Sequence, residues 1–162
     1  YKLSCVYDED GIGMPKIKLS ENTEKITNPG FKNIYRVYNK DTKKAEADFI
    51  CLRDEEFDDS KPLVLTHPTE RWKKITFTNY VLRPLHVDVI KNGKLVYDLP
   101  KLKEIKQYAQ SELNSFWDEY KRLDKPHLYK VDLSDGLFEL KKNMLEEIRS
   151  KDVWFGGCFG IK

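Results

Sequence analysis

The sequence predicts an α+β protein in which a β-rich first part precedes two amphipathic helices. Short segments rich in aromatic and β-branched residues fill the first hundred positions, and turn-forming residues separate them. Asn92-Gly93 lies between two apolar runs and is typical of a two-residue hairpin turn. From Pro100 onward, apolar residues recur at spacings of three and four, as on one face of a helix. We therefore expect a β-rich segment at 1–99 and a helical segment at 100–162, which together form one domain.

The composition is that of a globular protein and argues against nucleic-acid or membrane partners. The 162 residues are 40% hydrophobic, and 29 basic residues nearly balance 27 acidic ones, which gives a net charge of +2. A dedicated nucleic-acid-binding domain is expected to be clearly basic. No run approaches the roughly 18 apolar residues of a membrane helix, and no signal peptide opens the chain. We expect a cytoplasmic protein that binds neither nucleic acids nor membranes.

The cysteines, histidines and motifs indicate no disulfide, no metal site and no catalytic group. Three cysteines, an odd number, are widely spaced without a Cys-x-x-Cys pair, which favours free thiols in a reducing compartment. The histidines lack the spacing of metal ligands. Phosphate-binding glycine loops and hydrolase or metalloprotease motifs are missing from the sequence. The residues in question are Cys5, Cys51, Cys158, His67, His86 and His127.

The first thirty residues predict a strand, a turn and one short helix. Residues 1–7 alternate apolar and polar side chains, as in a half-buried strand, and residues 8–13 form a turn. Ser20 is the expected N-cap of a short helix with acidic residues in its first turn. Asn28-Pro29-Gly30 ends that helix, because proline restricts the residue before it and glycine permits positive φ. Since the chain begins at Tyr1 inside a strand-like run and without methionine, we expect it to be part of a larger protein.

Four further strands are predicted before the Asn92-Gly93 turn. The first two are joined by a polar hairpin loop, and an acidic surface loop follows the second. Pro84 separates the last two of these four strands. The expected strands are 33–38, 47–53, 71–81 and 85–90, with loops at 39–44 and 54–61.

Two amphipathic helices are predicted after residue 100. The first is expected to run for about six turns, with Pro100 in its first turn and an apolar face of Leu102, Ile105, Ala109, Leu113, Phe116, Tyr120 and Leu123. Ser134 and Asp135 are the expected caps of the second helix, whose inward face carries Leu137, Leu140, Lys141, Met144, Leu145 and Ile148. The apolar tail at 153–161 is expected to pack on the parent domain.

A basic, polar segment at 15–38 contains the candidate anion-binding groups. Ammonium and hydroxyl groups that converge near the N-terminus of a short helix would bind an anion. The lysines concerned are Lys2, Lys16, Lys18 and Lys25. The alternative interpretation is that these are ordinary lysines on a solvated surface. Residue chemistry alone therefore indicates a phosphate- or carboxylate-binding surface that performs no reaction of its own.

The same segment resembles a known family. The run PKIKLSENTEKITNPGFKNIYRVY closely resembles a segment from the C-terminal third of nicotinate phosphoribosyltransferases, with matches at Lys18, Leu19, Ser20, Glu21, Asn22, Glu24, Lys25, Thr27, Pro29, Gly30, Lys32 and Arg36. Further pieces follow in the family's order. They are Tyr1-Lys2-Leu3, the KNGKLVY hairpin at 91–97, FWDE with KRL at 116–123, Pro126-His127 and VDLS at 131–134. The resemblance spans essentially the whole chain.

The resemblance implies an enzyme that joins nicotinate to phosphoribosyl pyrophosphate, with ATP hydrolysis, to make nicotinate mononucleotide for NAD synthesis. It implies an irregular α/β barrel plus an open-faced sandwich, a homodimer, and Mg and ATP as cofactors of the parent enzyme, with none bound by this chain. The family's phosphorylatable histidine, nicotinate-binding residues and phosphate-binding glycine loop precede the position that matches Tyr1. The last barrel strand, the KLSEN turn and the C-terminal structural region are the parts expected here.

Within that resemblance, three residues are candidate substrate-binding groups. Lys2 and Lys18 occupy matched positions and are expected to contribute positive charge near the phosphates. Ser20 is expected to cap the turn that presents Lys18. No catalytic and no metal-binding residue is assigned, and none of the three histidines takes the phosphorylated role.

Two other hypotheses compete with an inactive C-terminal portion of that enzyme. One is a free-standing module that binds nucleotides or phosphate through the lysine turn. The other is a structural dimerisation domain that uses the tail at 153–161. A preference for nicotinamide over nicotinate also remains open, although the KLSEN-to-NPG pattern fits the nicotinate enzymes better.

Overall fold

The structure is a computed structural model, and it describes residues 3–156. The strands are β1 (Cys5–Tyr7), β2 (Gly13–Pro15), β3 (Lys32–Asn39), β4 (Ala45–Leu52), β5 (Leu63–Thr66), β6 (Lys74–Phe77), β7 (Tyr80–Pro84), β8 (Ile90–Lys91), β9 (Lys94–Leu95) and β10 (Lys130–Ser134). The helices are α1 (Leu102–Ser115), α2 (Asp118–Lys121) and α3 (Asp135–Gly156), with one 3-10 turn at Thr23–Lys25. This mixture confirms the predicted α+β class.

One six-stranded sheet organises the described residues, in the order β6-β5-β10-β4-β3-β7. The β3–β4 and β5–β6 pairs are antiparallel neighbours in sequence. Strand β10 enters from the second half of the chain and lies parallel to β4, with Lys130 opposite Ala47 and Leu133 opposite Ile50. The hairpins β1–β2 and β8–β9 form two separate small sheets.

The main core lies on one face of this sheet. Phe49 is fully buried, and its ring stacks on Tyr35 at a centroid distance of 5.5 Å. Phe57, from the loop after β4, covers both rings and meets Phe49 edge-on at 4.9 Å. We call this side the core face, and its buried members are Val37, Ala47, Phe49, Cys51, Leu63, Leu65, Phe77 and Tyr80. Leu133 and Leu137 are buried outside that cluster, where α3 contacts β4, β5 and β10.

The strand predictions were partly correct. The strands expected at 33–38 and 47–53 correspond to β3 and β4, and the Asn92-Gly93 turn is confirmed with φ values of 50° and 74°. The single strand expected at 71–81 was wrong, because a turn divides it into β6 and β7. The strand expected at 85–90 was also wrong, since regular pairing there begins only at Ile90. Strands β2, β5 and β10 were not predicted.

The helix predictions had a similar outcome. The expected six-turn helix was wrong, because Phe116 and Trp117 are extended, with ψ angles of 152° and 151°, and divide it into α1 and α2. The centroids of the Phe116 and Tyr129 rings are 5.0 Å apart, and this contact keeps the backbone at Phe116 out of the helical conformation. The second helix is confirmed as α3, and Ser134 Oγ accepts a hydrogen bond from the Leu137 N–H at 3.2 Å. Most of the tail at 153–161 lies outside the described residues.

Candidate functional site

Residues 16–30 of the lysine-rich segment form a closed loop, here called the lysine loop, whose two ends meet at Ser4. The Ser4 carbonyl accepts hydrogen bonds from the Lys16 N–H at 2.8 Å and from the Gly30 N–H at 2.7 Å. Within the loop, the Lys18 N–H donates to Thr27 Oγ1 at 2.9 Å, and the Thr27 N–H donates to the Lys18 carbonyl at 3.3 Å. The backbone of this segment is therefore fixed by hydrogen bonds, although it contains little regular structure.

The structure places the three predicted binding residues differently. The Lys18 side chain is exposed, and its ammonium has no hydrogen bond or salt bridge to the described residues. Ser20 is half-buried and was wrongly predicted as the helix cap, because Asn22 Oδ1 accepts the Glu24 N–H at 2.9 Å at the start of the 3-10 turn. Asn22 is closer in sequence than Ser20 to that turn, which begins at Thr23. An asparagine is as good a cap as a serine. Lys2 lies outside the described residues.

The Asn28-Pro29-Gly30 turn anchors the loop against the sheet and α3. Pro29 and Gly30 are buried, and Gly30 has a φ of 80°. A Cβ atom on Gly30 would lie 2.8 Å from Leu52 Cδ2 and 3.6 Å from Leu140 Cδ2. Both the positive φ and the close approach of the backbone to Leu52 therefore require glycine at this position.

Two lysines hold the same turn through neutral oxygen atoms. The Lys32 ammonium donates to the carbonyls of Gly30 and Pro29, and the Lys141 ammonium donates to Asn28 Oδ1 at 2.9 Å. Lys141 is only 9% exposed, and no carboxylate lies within salt-bridge distance of it among the described residues. Burial lowers the pKa of Lys141 and of Lys32, because desolvation disfavours the charged ammonium.

Lys141 is expected to give the protein a measurable pH dependence. Its pKa is lower in the folded than in the unfolded chain, so the unfolded state binds more protons between the two values and stability rises with pH in that interval, which ends near the ordinary value of 10.5. Lys141→Met has no ammonium at this position and therefore lacks this rise in stability with pH. In urea unfolding at increasing alkaline pH, the free energy of unfolding of Lys141→Met should therefore fall relative to that of the wild type.

The neighbouring lysine provides the control for this measurement. Lys142 forms a salt bridge with Glu139 at 2.9 Å on the half-exposed side of α3. Lys142→Met keeps Lys141 and should follow the wild-type pH profile. If Lys141→Met and Lys142→Met give parallel profiles, the buried ammonium does not govern this dependence.

A cleft of about 580 Å³ opens beside the buried turn. The β1–β2 hairpin supplies one wall through Cys5 and Tyr7, and Gly30 forms part of the floor. Arg53 lies at its edge, with the guanidinium carbon 4.4 Å from the centroid of the Phe31 ring. The cleft thus combines an apolar lining with an exposed cation next to the lysine loop.

A second polar centre lies on the sheet face opposite the core and was not predicted from the sequence. Arg36 binds Asp48 through two hydrogen bonds, from Nε at 2.8 Å and from Nη2 at 3.0 Å. Its Nη1 reaches Glu112 of α1 at 3.1 Å, and Arg83 of β7 binds the same carboxylate. Tyr129 donates its hydroxyl to Asp48 Oδ1 at 3.0 Å. We call these five residues the Arg36 cluster.

The Arg36 cluster is an anchor for helix α1. The hydrogen bond to Asp48 raises the pKa of Arg36, and the Arg83 hydrogen bond lowers the pKa of Glu112, so both groups are held in their charged forms. The side chains of Arg36 and Asp48 are only 13% and 14% exposed. With three of its N–H groups bound to Asp48 and Glu112, the Arg36 guanidinium is committed to contacts within the protein. The arginine-bearing strand of the family resemblance therefore has a structural role here.

The remaining site predictions concern metals, thiols and membranes. Among residues 3–156, no group of three His, Cys, Asp or Glu side chains is placed to hold a metal ion. Cys5 and Cys51 are free, and burial raises the pKa of Cys51 to about 12. None of the helices in the described part of the chain is long and apolar enough to cross a membrane.

Comparison with known proteins connects this geometry to one family. Residues 31–141 match the family model of the nicotinate phosphoribosyltransferase C-terminal domain. This range contains strand β3, which follows the Pro-Gly turn, and the Arg36 cluster. The chain belongs to the nicotinate phosphoribosyltransferase family. The nicotinate phosphoribosyltransferase of Bacillus subtilis is 38% identical over 93% of this chain, and that of Dictyostelium discoideum is 30% identical over 93%.

The structural comparison agrees with the sequence comparison. The crystal structure of human nicotinic acid phosphoribosyltransferase matches 74% of this chain with a TM-score of 0.67 and 27% sequence identity. The chain corresponds to 31% of the Bacillus subtilis protein, 27% of the Dictyostelium discoideum protein and 24% of the human chain. It thus spans less than a third of the nicotinate phosphoribosyltransferases that it resembles.

Proposed function

We propose that this chain is the C-terminal part of an enzyme that joins nicotinate to phosphoribosyl pyrophosphate, with ATP hydrolysis, to form nicotinate mononucleotide. The match of residues 31–141 to the C-terminal domain of that family carries the proposal. The fold similarity to the human enzyme supports it. Residues 1–99 and 100–162 would together form one C-terminal domain, and the pairing of β10 with β4 across that boundary supports a single unit.

The proposed reaction assigns this chain a supporting role. The nicotinate ring nitrogen would form a bond to C1 of the ribose, and the C1–O bond to pyrophosphate would break, so that pyrophosphate leaves with the bonding electrons. Cations that stabilise the leaving pyrophosphate lower the barrier to such a step. Lys2 and Lys18 are the proposed sources of positive charge, with Ser20 beside Lys18. Magnesium and ATP are the proposed cofactors of the parent enzyme, and we propose that other parts of it bind them.

The activity is tested by product formation. The complete reading frame that contains this chain is incubated with phosphoribosyl pyrophosphate, ATP and either nicotinate or nicotinamide, and the mononucleotide is quantified by chromatography. The proposal predicts nicotinate mononucleotide as the product. Conversion of nicotinamide alone would assign the chain to a sister activity, and the absence of both products would contradict the proposal.

Lys18→Ala in the complete enzyme is expected to raise KM for phosphoribosyl pyrophosphate about fivefold. This corresponds to the loss of one charge–charge interaction of about 1 kcal/mol in a solvated site. The matched control is Lys106→Ala, an exposed lysine of α1 outside the lysine-rich segment, which should leave KM unchanged. Equal KM values for Lys18→Ala and the wild type would remove Lys18 from the site.

We further propose that the enzyme is a cytoplasmic homodimer. Support comes from the apolar side chains that the segment before and along α1 leaves exposed, which are Val87, Val89, Ile90, Leu95, Val96, Leu99, Leu102, Ile105, Tyr108 and Leu113. Large exposed apolar patches mark protein interfaces. Light scattering on the complete protein should give twice the monomer mass, and a monomer at micromolar concentration would contradict the dimer.

A further inference from the structure

Asp132 is a buried carboxylate that forms no hydrogen bond among the described residues and has His67, Lys130 and Lys73 as its electrostatic neighbours. It is only 5% exposed, and among the described residues no hydrogen bond or salt bridge reaches it. In the β10–β4 ladder it lies opposite Phe49. Because register partners point to the same side of a sheet, Asp132 lies on the apolar core face. A carboxylate this buried is costly unless neighbouring groups favour its charged form, and here those groups are His67, Lys130 and Lys73.

The sheet is interrupted next to this residue. Strand β10 pairs with β4 from Lys130 to Leu133, but it pairs with β5 only at Leu133 and Ser134. After Thr66, the chain leaves the sheet at His67 instead of continuing alongside β10. A cleft of about 570 Å³ is found where β5 would have continued, and Asp132 lines it. Its volume lies within the range of about 300–1,000 Å³ that is typical of small-molecule sites.

The cleft wall offers three kinds of contact. Ile75, Leu128 and Val131 provide an apolar surface, on which Leu128 and Val131 are 91% and 47% exposed. Asp132 provides a hydrogen-bond acceptor. The third kind of contact is cationic and comes from Lys73, Lys74 and Lys130.

The cations of the cleft are incompletely neutralised. Lys73 lies 3.5 Å from Glu70, and Lys74 lies 3.1 Å from Asp135. Lys130 has no carboxylate within 4 Å among the described residues. Burial raises the pKa of Asp132, while His67, Lys130 and Lys73 oppose that rise. The cleft thus places, among the described residues, an ammonium without a salt bridge, a carboxylate without a hydrogen bond and an apolar wall around one cavity.

We propose that this cleft binds a nucleoside monophosphate. The lysine ammonium groups would bind the phosphate, since ammonium is a common phosphate ligand. Asp132 accepts hydrogen bonds from the ribose hydroxyls, the role that an acidic residue has in many nucleotide sites. The base lies against the apolar wall of Ile75, Leu128 and Val131. This site is proposed independently of the phosphoribosyl transfer activity.

Isothermal titration of the complete polypeptide with AMP, adenosine and inorganic phosphate tests the proposal. AMP should bind saturably and more tightly than either part alone. Asp132→Asn should weaken AMP binding about tenfold or more, as expected for a hydrogen bond to a charged group. Lys130→Gln should weaken AMP and phosphate but not adenosine, and Lys103→Gln on the exposed face of α1 should change neither.

Thermal unfolding distinguishes a binding role from a structural one. Asp132→Asn keeps the shape of the side chain and breaks no hydrogen bond among the described residues, so its Tm without ligand should stay close to that of the wild type. AMP should raise the wild-type Tm but not that of Asp132→Asn. The proposal is overturned if AMP does not bind, if phosphate alone binds as tightly as AMP, or if Asp132→Asn lowers Tm strongly. Because the mononucleotide-forming assay is separate, either proposal can fail while the other stands.

Discussion

Arg36→Ala is expected to lower the free energy of unfolding by about 3–5 kcal/mol, the cost of breaking a buried charge pair by removing one partner. The substitution leaves the Asp48 carboxylate, which is 14% exposed, with only the Tyr129 hydroxyl. It also removes one of the two arginines that bind Glu112 and the cation that lies 4.7 Å above the Phe116 ring. Chemical denaturation with circular dichroism gives the free energy directly.

A second arginine in contact with an aromatic ring is the control for Arg36. Arg53 lies 4.4 Å from the Phe31 centroid, but it is exposed and forms no salt bridge among the described residues. Arg53→Ala should therefore cost only about 0.5–1 kcal/mol, as for an exposed cation–π pair. Equal losses in the two variants would show that the Arg36 cluster does not hold α1 on the sheet.

Gly30→Ala is expected to cost about 2–5 kcal/mol from two separate effects. A residue with a Cβ pays about 1–2 kcal/mol in the left-handed region that Gly30 occupies at a φ of 80°. The added methyl group would also lie 2.8 Å from Leu52 Cδ2, and such overpacking costs about 1–3 kcal/mol. Because this turn closes the lysine loop, the variant of the complete enzyme should also have a higher KM for phosphoribosyl pyrophosphate.

Gly93→Ala separates the two effects. Gly93 has a similar φ of 74°, but a Cβ there would meet nothing within 4 Å. This control therefore retains the backbone cost of about 1–2 kcal/mol without the contact at Leu52. If both glycine variants lose the same free energy, the close packing of the turn against Leu52 contributes nothing.

The sequence predicted those elements whose formation depends on local residues. The Asn92-Gly93 turn requires two positive φ values, and asparagine followed by glycine meets that requirement without help from the rest of the chain. Helix α3 has both a serine cap and an apolar face, so its start at Asp135 was predictable. Local chemistry was sufficient in both cases.

The errors arose where distant contacts decide the structure. The apolar period continues from α1 through Phe116, but the ring of that residue packs on Tyr129 and beneath Arg36, and the helix ends there. Strand β10 is only five residues long and becomes a central strand through pairing with β4, 83 positions earlier at the Lys130–Ala47 pair. Such pairings leave no periodic pattern in the sequence.

The candidate site shows the same division. The lysine-rich segment and its Pro-Gly turn were identified from composition and from the family resemblance. Asn22 rather than Ser20 caps the short turn, because the 3-10 turn begins three residues later than Ser20, at Thr23. The Arg36 cluster and the cleft at Asp132 depend on side chains from β3, β4, β6, β7, β10 and α1. Their partners become neighbours only in the folded sheet.

The proposal tested most directly is that this chain is a required part of an enzyme that forms nicotinate mononucleotide. The most direct test compares nicotinate mononucleotide formation by the complete reading frame, by the same frame ending before the residue that corresponds to Tyr1, and by the 162-residue chain alone. We expect product from the complete frame only. Full activity of the shortened frame would contradict this proposal, because the lysine loop and the sheet would then be dispensable for the reaction.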